Sequence, residues 1–257
     1  MWNEIEYRVE NEVAYVLMKR PERLNALTSV MLTELTEAME EASQDDSVRA
    51  ILLKGDGRGF CAGQDLKTVD PTLVHGEYLE SYYHPLIRSM ANLKKPIVAA
   101  LNGVAAGAGL SLALACDFRL MKESATASLA FVHIGLVPDA GSPYYLPRLV
   151  GSAKALELAL LGETLSAEEA ARIGLVTRVY EDEQFDSEVE AFVQRLAKQP
   201  TKVIGYIKRL HASSYESTLE EMLAQEVIYQ TRAGKTDDHR AALEAFIGKK
   251  RPTFSGR

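Results

Sequence analysis

The sequence predicts an α/β fold built on a largely parallel sheet, followed by a helical carboxyl-terminal segment. Three observations carry this reading. Short strand-like runs alternate with helix-period segments through the first half, glycine-rich turns follow the strand-like runs, and helical periodicity dominates after Gly135. A strand, helix, strand, helix order calls for crossover connections, hence parallel pairing. The 257 residues are 47% apolar and 25% charged, enough to bury a large core and far from disordered or disulfide-scaffold compositions.

The elements follow in order. IEYRVENEVAYVLMKR (5–20) holds two alternating apolar runs that meet at Glu10-Asn11-Glu12, a hairpin pattern that Pro21 ends. From Thr28 to Ser43, Val30, Met31, Leu35, Ala38, Met39 and Ala42 recur at helical spacing, with Thr28 or Ser29 as N-cap. Val48 to Lys54 is a buried strand that leads into the loop GDGRGFCAGQD. Leu79 to Leu93 is a helix, Pro96 to Leu101 a strand, Gly109 to Cys116 a helix, and Asp117 to Met121 a strand. The uncharged run 97–116 is long enough to cross a bilayer, but Pro96, the Asn102-Gly103 turn and the change to Ala/Leu after Gly109 divide it, so no membrane partner is expected. Beyond Gly135, helices are predicted over 144–150, 152–161, 166–173, 186–198, 202–215, 218–233 and 237–246, and Leu175 to Tyr180 is the only late strand signal. Gln199-Pro200 is the expected junction between an α/β core, residues 1–199, and a helical segment, residues 200–257.

Composition also excludes functions. A net charge of −7 lacks the basic stripe that neutralises phosphates, so no nucleic-acid partner is expected. Two cysteines, Cys61 and Cys116, and five histidines make neither a disulfide framework nor a metal site, which fits a reducing, cytoplasmic setting. The opening MWNEIEYRVE has no basic stretch before an apolar run, so no secretory signal is expected.

Two glycine-rich turns are the first candidates for chemistry. Gly59 to Asp65 follows one predicted strand, and Gly103 to Gly109 follows another and opens a helix. Adjacent parallel strands deliver such turns to one sheet edge, where small residues let backbone N–H groups converge on a ligand oxygen. The plainer reading is that these glycines only make tight turns. Neither turn matches a nucleotide-binding fingerprint. Gly109-Leu110-Ser111-Leu112-Ala113 is near the G-x-S-x-G of serine hydrolases, but Ser111 lies ten residues past Leu101, already in the helix. Asp139, after Gly135-Leu136-Val137-Pro138, is either a helix N-cap or a carboxylate whose apolar surroundings suit it to proton transfer. His75, His211 and His239 sit in polar contexts that suit the surface, whereas His84 and His133 have apolar or aromatic neighbours that suit a pocket.

Taken together, these segments resemble the enoyl-CoA hydratase/isomerase (crotonase) superfamily over essentially the whole chain. RPERLNAL (20–27), GFCAGQDL (59–66), KPIVAALNGVAAGAG (95–109), Cys116-Asp117, GLVPDAGSPYYLPRLVG (135–151), LSAEEAARIGLVTRVY (165–180) and FIGKKRPTF (246–254) resemble its successive signatures. The resemblance implies a spiral core of repeated β-β-α units, a coenzyme A thioester as substrate, and no cofactor beyond that coenzyme A. It also implies a homotrimer or homohexamer assembled through the helical segment. By position, the backbone N–H groups of Gln64 and Ala108 would hold an enolate oxygen, and loss of the Gln64 side chain would matter little. Coenzyme A would lie along Arg23, Leu24, Ala26, Ala62, Gly63, Asp65 and Leu66, with Gly109, Phe131 and His84 completing the substrate-binding set.

The departures carry information too. Where the hydratases place two glutamates this chain has Ser111 and Phe131, and where most of them have glycine it has Asp139. That pattern resembles the isomerase branch, in particular the ring-1,2-epoxyphenylacetyl-CoA isomerases of phenylacetate degradation, with fatty-acid catabolism the other expected setting. Hydration needs two acid–base groups, whereas moving a double bond needs one group that removes a proton and returns it elsewhere. Asp139 is therefore the expected proton shuttle. The alternatives are a hydratase with non-standard acids, an aryl-CoA dehalogenase using Asp139 as nucleophile with His84, a catalytically silent acyl-CoA binder, and the serine hydrolase on Ser111. The acyl specificity is expected to depend on the loop from Lys67 to Tyr83.

Overall fold

Asn11 and Glu12, both at positive φ (48° and 66°), make the tight turn that pairs β1 (Ile5–Glu10) with β2 (Val13–Met18), in a computed structural model that describes residues 2–67 and 74–257. α1 (Ser29–Gln44) begins where the Thr28 hydroxyl accepts the Met31 N–H, and its apolar stripe is buried. Next come β3 (Ala50–Gly55), β4 (Gly59–Cys61), α2 (His75–Tyr78) and α3 (His84–Asn92), with a π-helical turn, Leu79–Tyr83, between the two helices. The helix predicted over 79–93 is thus a π turn followed by α3, with α2 just ahead of it, and residues 68–73 of the predicted specificity loop lie outside the described residues.

The chain continues with β5 (Ile97–Leu101), β6 (Val104–Ala106), α4 (Ala108–Leu114), β7 (Phe118–Lys122) and β8 (Thr126–Ser128). It then runs through α5 (Ser142–Val150), α6 (Ser152–Leu161), β9 (Thr164–Ser166), α7 (Ala167–Arg172), β10 (Arg178–Tyr180) and α8 (Phe185–Ala197). Last come α9 (Thr201–Ser213), α10 (Leu219–Ala233) and α11 (Asp237–Ile247). Among the described residues, no helix is long and apolar enough to cross a membrane.

Two sheets result. The first has the order β1-β2-β3-β5-β7-β10 and is parallel except for the β1/β2 hairpin; the second has the order β4-β6-β8-β9. Each pass of the chain lays one strand in each sheet, β3 then β4, β5 then β6, β7 then β8, so the path is a spiral of β-β-α turns. The second sheet was not expected, and its β9 corrects the expectation of a single late strand. Its strands are three residues each, too short to show an alternation in sequence. Period-2 alternation divides the large sheet's faces. Ile51, Leu53, Ile97, Ala99 and Leu101 face the main core, whereas Ala50, Leu52, Val98 and Ala100 pack against Phe185, Val189, Phe192 and Val193 of α8.

The last residues return to this core. Arg49, 5% exposed, donates from Nε to Thr201 Oγ1 (3.0 Å), from Nη2 to the Gln199 carbonyl (2.7 Å) and from Nη1 to the Phe254 carbonyl (2.7 Å). Its other contact is an ion pair with Glu12 at 3.3 Å. Asp238, 1% exposed, accepts the N–H groups of Ser255 (2.6 Å) and Gly256 (3.0 Å), which ties the tail to α11.

Candidate active site

The site begins with a buried asparagine. Leu24 and Asn25 both sit at positive φ, which turns the Asn25 side chain inward, where its Nδ2 donates to the carbonyls of Asp56 and Gly59 (2.9 Å each). This brace holds the 20–27 loop against the first glycine turn. The Ala62 N–H donates to the Leu24 carbonyl (2.9 Å), the Leu27 N–H to the Gly63 carbonyl (2.7 Å), and the Asp65 N–H to the Leu27 carbonyl (2.9 Å). Because Leu27 engages the residues on either side, the Gln64 N–H points the opposite way, as alternate groups of a parallel bridge do. It meets no acceptor among the described residues.

The second glycine turn supplies a matching donor. Gly107, at φ 51°, leads into α4, whose first residue is Ala108, so the Ala108 N–H is one of the helix's orphan donors. It too has no acceptor among the described residues. The turns touch backbone to backbone. A methyl group on Gly63 would lie 2.9 Å from the Ala106 carbonyl oxygen and 3.4 Å from the Ala108 nitrogen, and one on Gly109 would lie 2.3 Å from the Cys61 carbonyl oxygen. Here glycine is required by proximity, which goes beyond making tight turns.

Gln64 and Ala108 both line a cavity of about 250 Å³. Its remaining wall is apolar and aromatic: Leu66, Tyr78, Leu79, Tyr83, Phe131, Ile134, Leu136 and Val137, with His75 and Asp139. Asp139 is the only carboxylate among the described lining residues. Its carbonyl accepts the N–H and the hydroxyl of Ser142 (2.9 Å each), and Ala140 and Gly141 follow at positive φ, with Gly141 at the N-cap of α5. The carboxylate therefore caps no helix, which removes the N-cap reading. Its Oδ1 is buried without a hydrogen-bond partner among the described residues. Burial pushes its pKa up to about 6, opposed by the nearby His75 imidazole.

Two tyrosines hold the Gln64 side chain. The Tyr83 hydroxyl donates to Oε1 (2.6 Å), and Nε2 donates to the Tyr78 hydroxyl (3.3 Å). Tyr83 is 3% exposed, and burial together with the Asp139 charge raises its pKa well above the usual phenol value.

The structure thus brings Gln64, Ala108, Asp139, Ala62, Gly63, Leu66 and Phe131 to one cavity. Arg23, Leu24, Ala26, Asp65, Gly109 and His84 are not on its wall. Arg23 is exposed on the framing loop, the Leu24 carbonyl accepts the Ala62 N–H, and the Ala26 carbonyl accepts from Arg20 Nη1. The Asp65 carboxylate pairs with Arg20 at 2.8 Å, which holds it below the usual carboxylate range, and Gly109 is the packing contact with Cys61. His84 opens α3, half-buried, and His133 Nε2 lies 3.2 Å from the Gly162 carbonyl. His75 is exposed, as expected, and it also borders the cavity. Ser111 corrects the hydrolase reading: it is fully buried, off the cavity wall, and its hydroxyl donates back to the Gly107 carbonyl (3.3 Å). Tyr78 and Tyr83 escaped sequence reasoning, although the aromatic cluster YLESYYH (78–84) was the available signal.

Comparison with known proteins places this geometry. Residues 8–257 match the family described as enoyl-CoA hydratase/isomerase. The chain is 43% identical over 254 residues to the 1,2-epoxyphenylacetyl-CoA isomerase of Escherichia coli, covering 97% of each protein. It is 39% identical over 220 residues to 4-chlorobenzoyl coenzyme A dehalogenase-2 of an Arthrobacter species, covering 84% of this chain and 80% of that one. The crystal structure of an enoyl-CoA hydratase from Bacillus anthracis superposes with a TM-score of 0.93 at 28% identity, covering 99% of this chain and 100% of the other. The chain belongs to the enoyl-CoA hydratase/isomerase (crotonase) family of enzymes, which act on coenzyme A thioesters and need no further cofactor.

Proposed function

We propose that this protein is an acyl-CoA isomerase working through an enolate, on an enoyl-CoA or a ring-1,2-epoxyphenylacetyl-CoA substrate. The observation that carries the reading is the Asp139 carboxylate, among the described residues without a partner at its buried Oδ1 and the one carboxylate on a wall shared with Gln64 and Ala108, whose N–H groups meet no acceptor among those residues. Those donors would hold the thioester oxygen as negative charge develops on it. Asp139 would take a proton from the carbon beside the thioester and return it further along the acyl chain or ring-derived group. Tyr78, Tyr83 and Phe131 give the pocket an aromatic wall, and Phe131 helps keep water from the enolate. Hydration would need a second group to hold and activate water, and the matching positions are the buried Ser111 and Phe131.

The deciding experiment compares two assays on the purified protein. Conversion of 3-enoyl-CoA to 2-enoyl-CoA is expected to outrun hydration of crotonyl-CoA by a wide margin, and comparable rates would overturn the reading. The 39% identity to a dehalogenase favours one second reading, in which Asp139 attacks an aryl-CoA. That reading predicts a trapped ester on Asp139, seen by mass spectrometry when His84 is replaced. The position of His84 off the cavity wall speaks against it.

A further inference from the structure

An α-helix turns about 100° per residue, so residues five apart point about 140° away from each other. Tyr78 and Tyr83 are five apart, yet their ring centroids are 6.0 Å apart, and both rings border the cavity. The π turn Leu79–Tyr83 accounts for this. The His84 N–H donates to the Leu79 carbonyl, an i→i−5 bond, and such a turn sets residues five apart side by side. Without the extra residue in that turn, Tyr83 would leave the face that Tyr78 and Tyr82 share.

The consequence falls on Gln64. Its side chain is gripped from both sides, by the Tyr83 hydroxyl at 2.6 Å and the Tyr78 hydroxyl at 3.3 Å. On its other flank the backbone is pinned by the Leu27 bridge, and just before it Gly63 sits at φ 93°, a joint with no Cβ to stiffen it. The direction of the Gln64 N–H is therefore set by the bridge together with the side-chain clasp. We propose that Tyr83 is a positioning residue: the π turn delivers its hydroxyl to the Gln64 carboxamide, and this contact aims the Gln64 N–H at the thioester oxygen. The proposal rests on the isomerase reading for what the N–H does, and it predicts the opposite of the expectation that the Gln64 side chain matters little. Tyr83 acts through Gln64 and touches no reacting atom.

The test reads carbonyl polarisation directly. An α,β-unsaturated aromatic thioester such as cinnamoyl-CoA absorbs further to the red when its carbonyl oxygen is drawn into strong hydrogen bonds, and no proton transfer is needed. Wild type and Asp139→Asn are expected to redden the bound probe equally. Tyr83→Phe, which keeps the ring, is expected to bind it within about twofold of wild type but to lose half or more of the shift, with kcat about tenfold lower and KM little changed. Gln64→Leu should match it, and the double variant should be no worse than the worse single, since both remove one contact. Tyr78→Phe, on the longer arm, should lose less. Full shift and full kcat in folded Tyr83→Phe overturns the proposal, as does a double variant whose losses multiply. Should Tyr83→Phe fail to fold, a full shift in Gln64→Leu overturns it equally. A wild-type enzyme that does not redden the probe overturns the oxyanion reading itself, a different failure from a Tyr83 hydroxyl that proves dispensable.

Discussion

Asp139 is held where its charged form is poorly solvated, and that sets how both activity and stability should vary with pH. Burial raises its pKa from 3.8 to about 6, so a carboxylate that must be ionised to accept a proton gives an isomerase rate that climbs through pH 6 and levels off above it. A rate profile of kcat/KM against pH checks this. Stability runs the other way. Between about pH 4 and 6 the folded state binds more protons than the unfolded chain, so the stabilisation present below pH 4 is lost as pH rises through 6. Asp139→Asn removes the charge, and since the side chain caps no helix there is no cap to lose. The variant is expected to lose on the order of 10² or more in kcat while unfolding at a higher temperature than wild type at pH 8. The gain is on the order of 1–2 kcal/mol after allowing for partial exposure, and it should vanish near pH 4. Thermal melts at the two pH values decide it. Asp139 was legible because an acid interrupts an apolar Gly-Leu-Val-Pro run, whereas Tyr83 was not, because its direction depends on one extra residue in a helical turn that no periodicity announces.

At the scale of elements, the site depends on two glycine turns packed without side chains between them. Gly109→Ala would set a methyl group 2.3 Å from the Cys61 carbonyl, with backbone on both sides and no flexible end to yield. The expected result is a loss of about 3 kcal/mol or more, read as a lower denaturant midpoint or a failure to accumulate folded protein. Ala108→Pro asks a different question of the same turn. Proline is tolerated at the first position of a helix, so α4 should survive, but the N–H is gone. Turnover should fall by about 10²–10³ with the fold intact by circular dichroism. Five of the six strands of the larger sheet are five or six residues long, enough to read as alternating or continuous apolar runs. The four-stranded one was hidden inside what reads as glycine turns, since three residues that pair through backbone alone leave no pattern of side chains.

Across the whole molecule, α9, α10 and α11 keep apolar side chains on the outside. Phe246 is 84% exposed and Ile247 81%, and Leu219 and Val227 are also bare. Such surface on a chain of net charge −7 fits the proposed assembly through residues 200–257 into a homotrimer or homohexamer. Light scattering is expected to give a mass of three or six times 28.3 kDa. Phe246→Asp should shift it toward the single chain. The charge and helix periodicity made this segment legible, but its attachment to the core was not, because the Arg49 and Asp238 contacts join residues with no shared motif.

That attachment also orders events during synthesis. Arg49 emerges from the ribosome 150 residues before Gln199 and 205 before Phe254, whose carbonyls it needs. At ~5–20 residues per second the first interval lasts roughly 8–30 seconds, during which the guanidinium has only Glu12 and water. A cation does not enter a dry interior on those terms, so burial of Arg49 waits at least for Gln199 and Thr201 and is completed by the Phe254 carbonyl. A nascent chain halted before Phe254 lacks one of the carbonyls that Arg49 uses and the Ser255 and Gly256 N–H groups that tie the tail to Asp238 of α11.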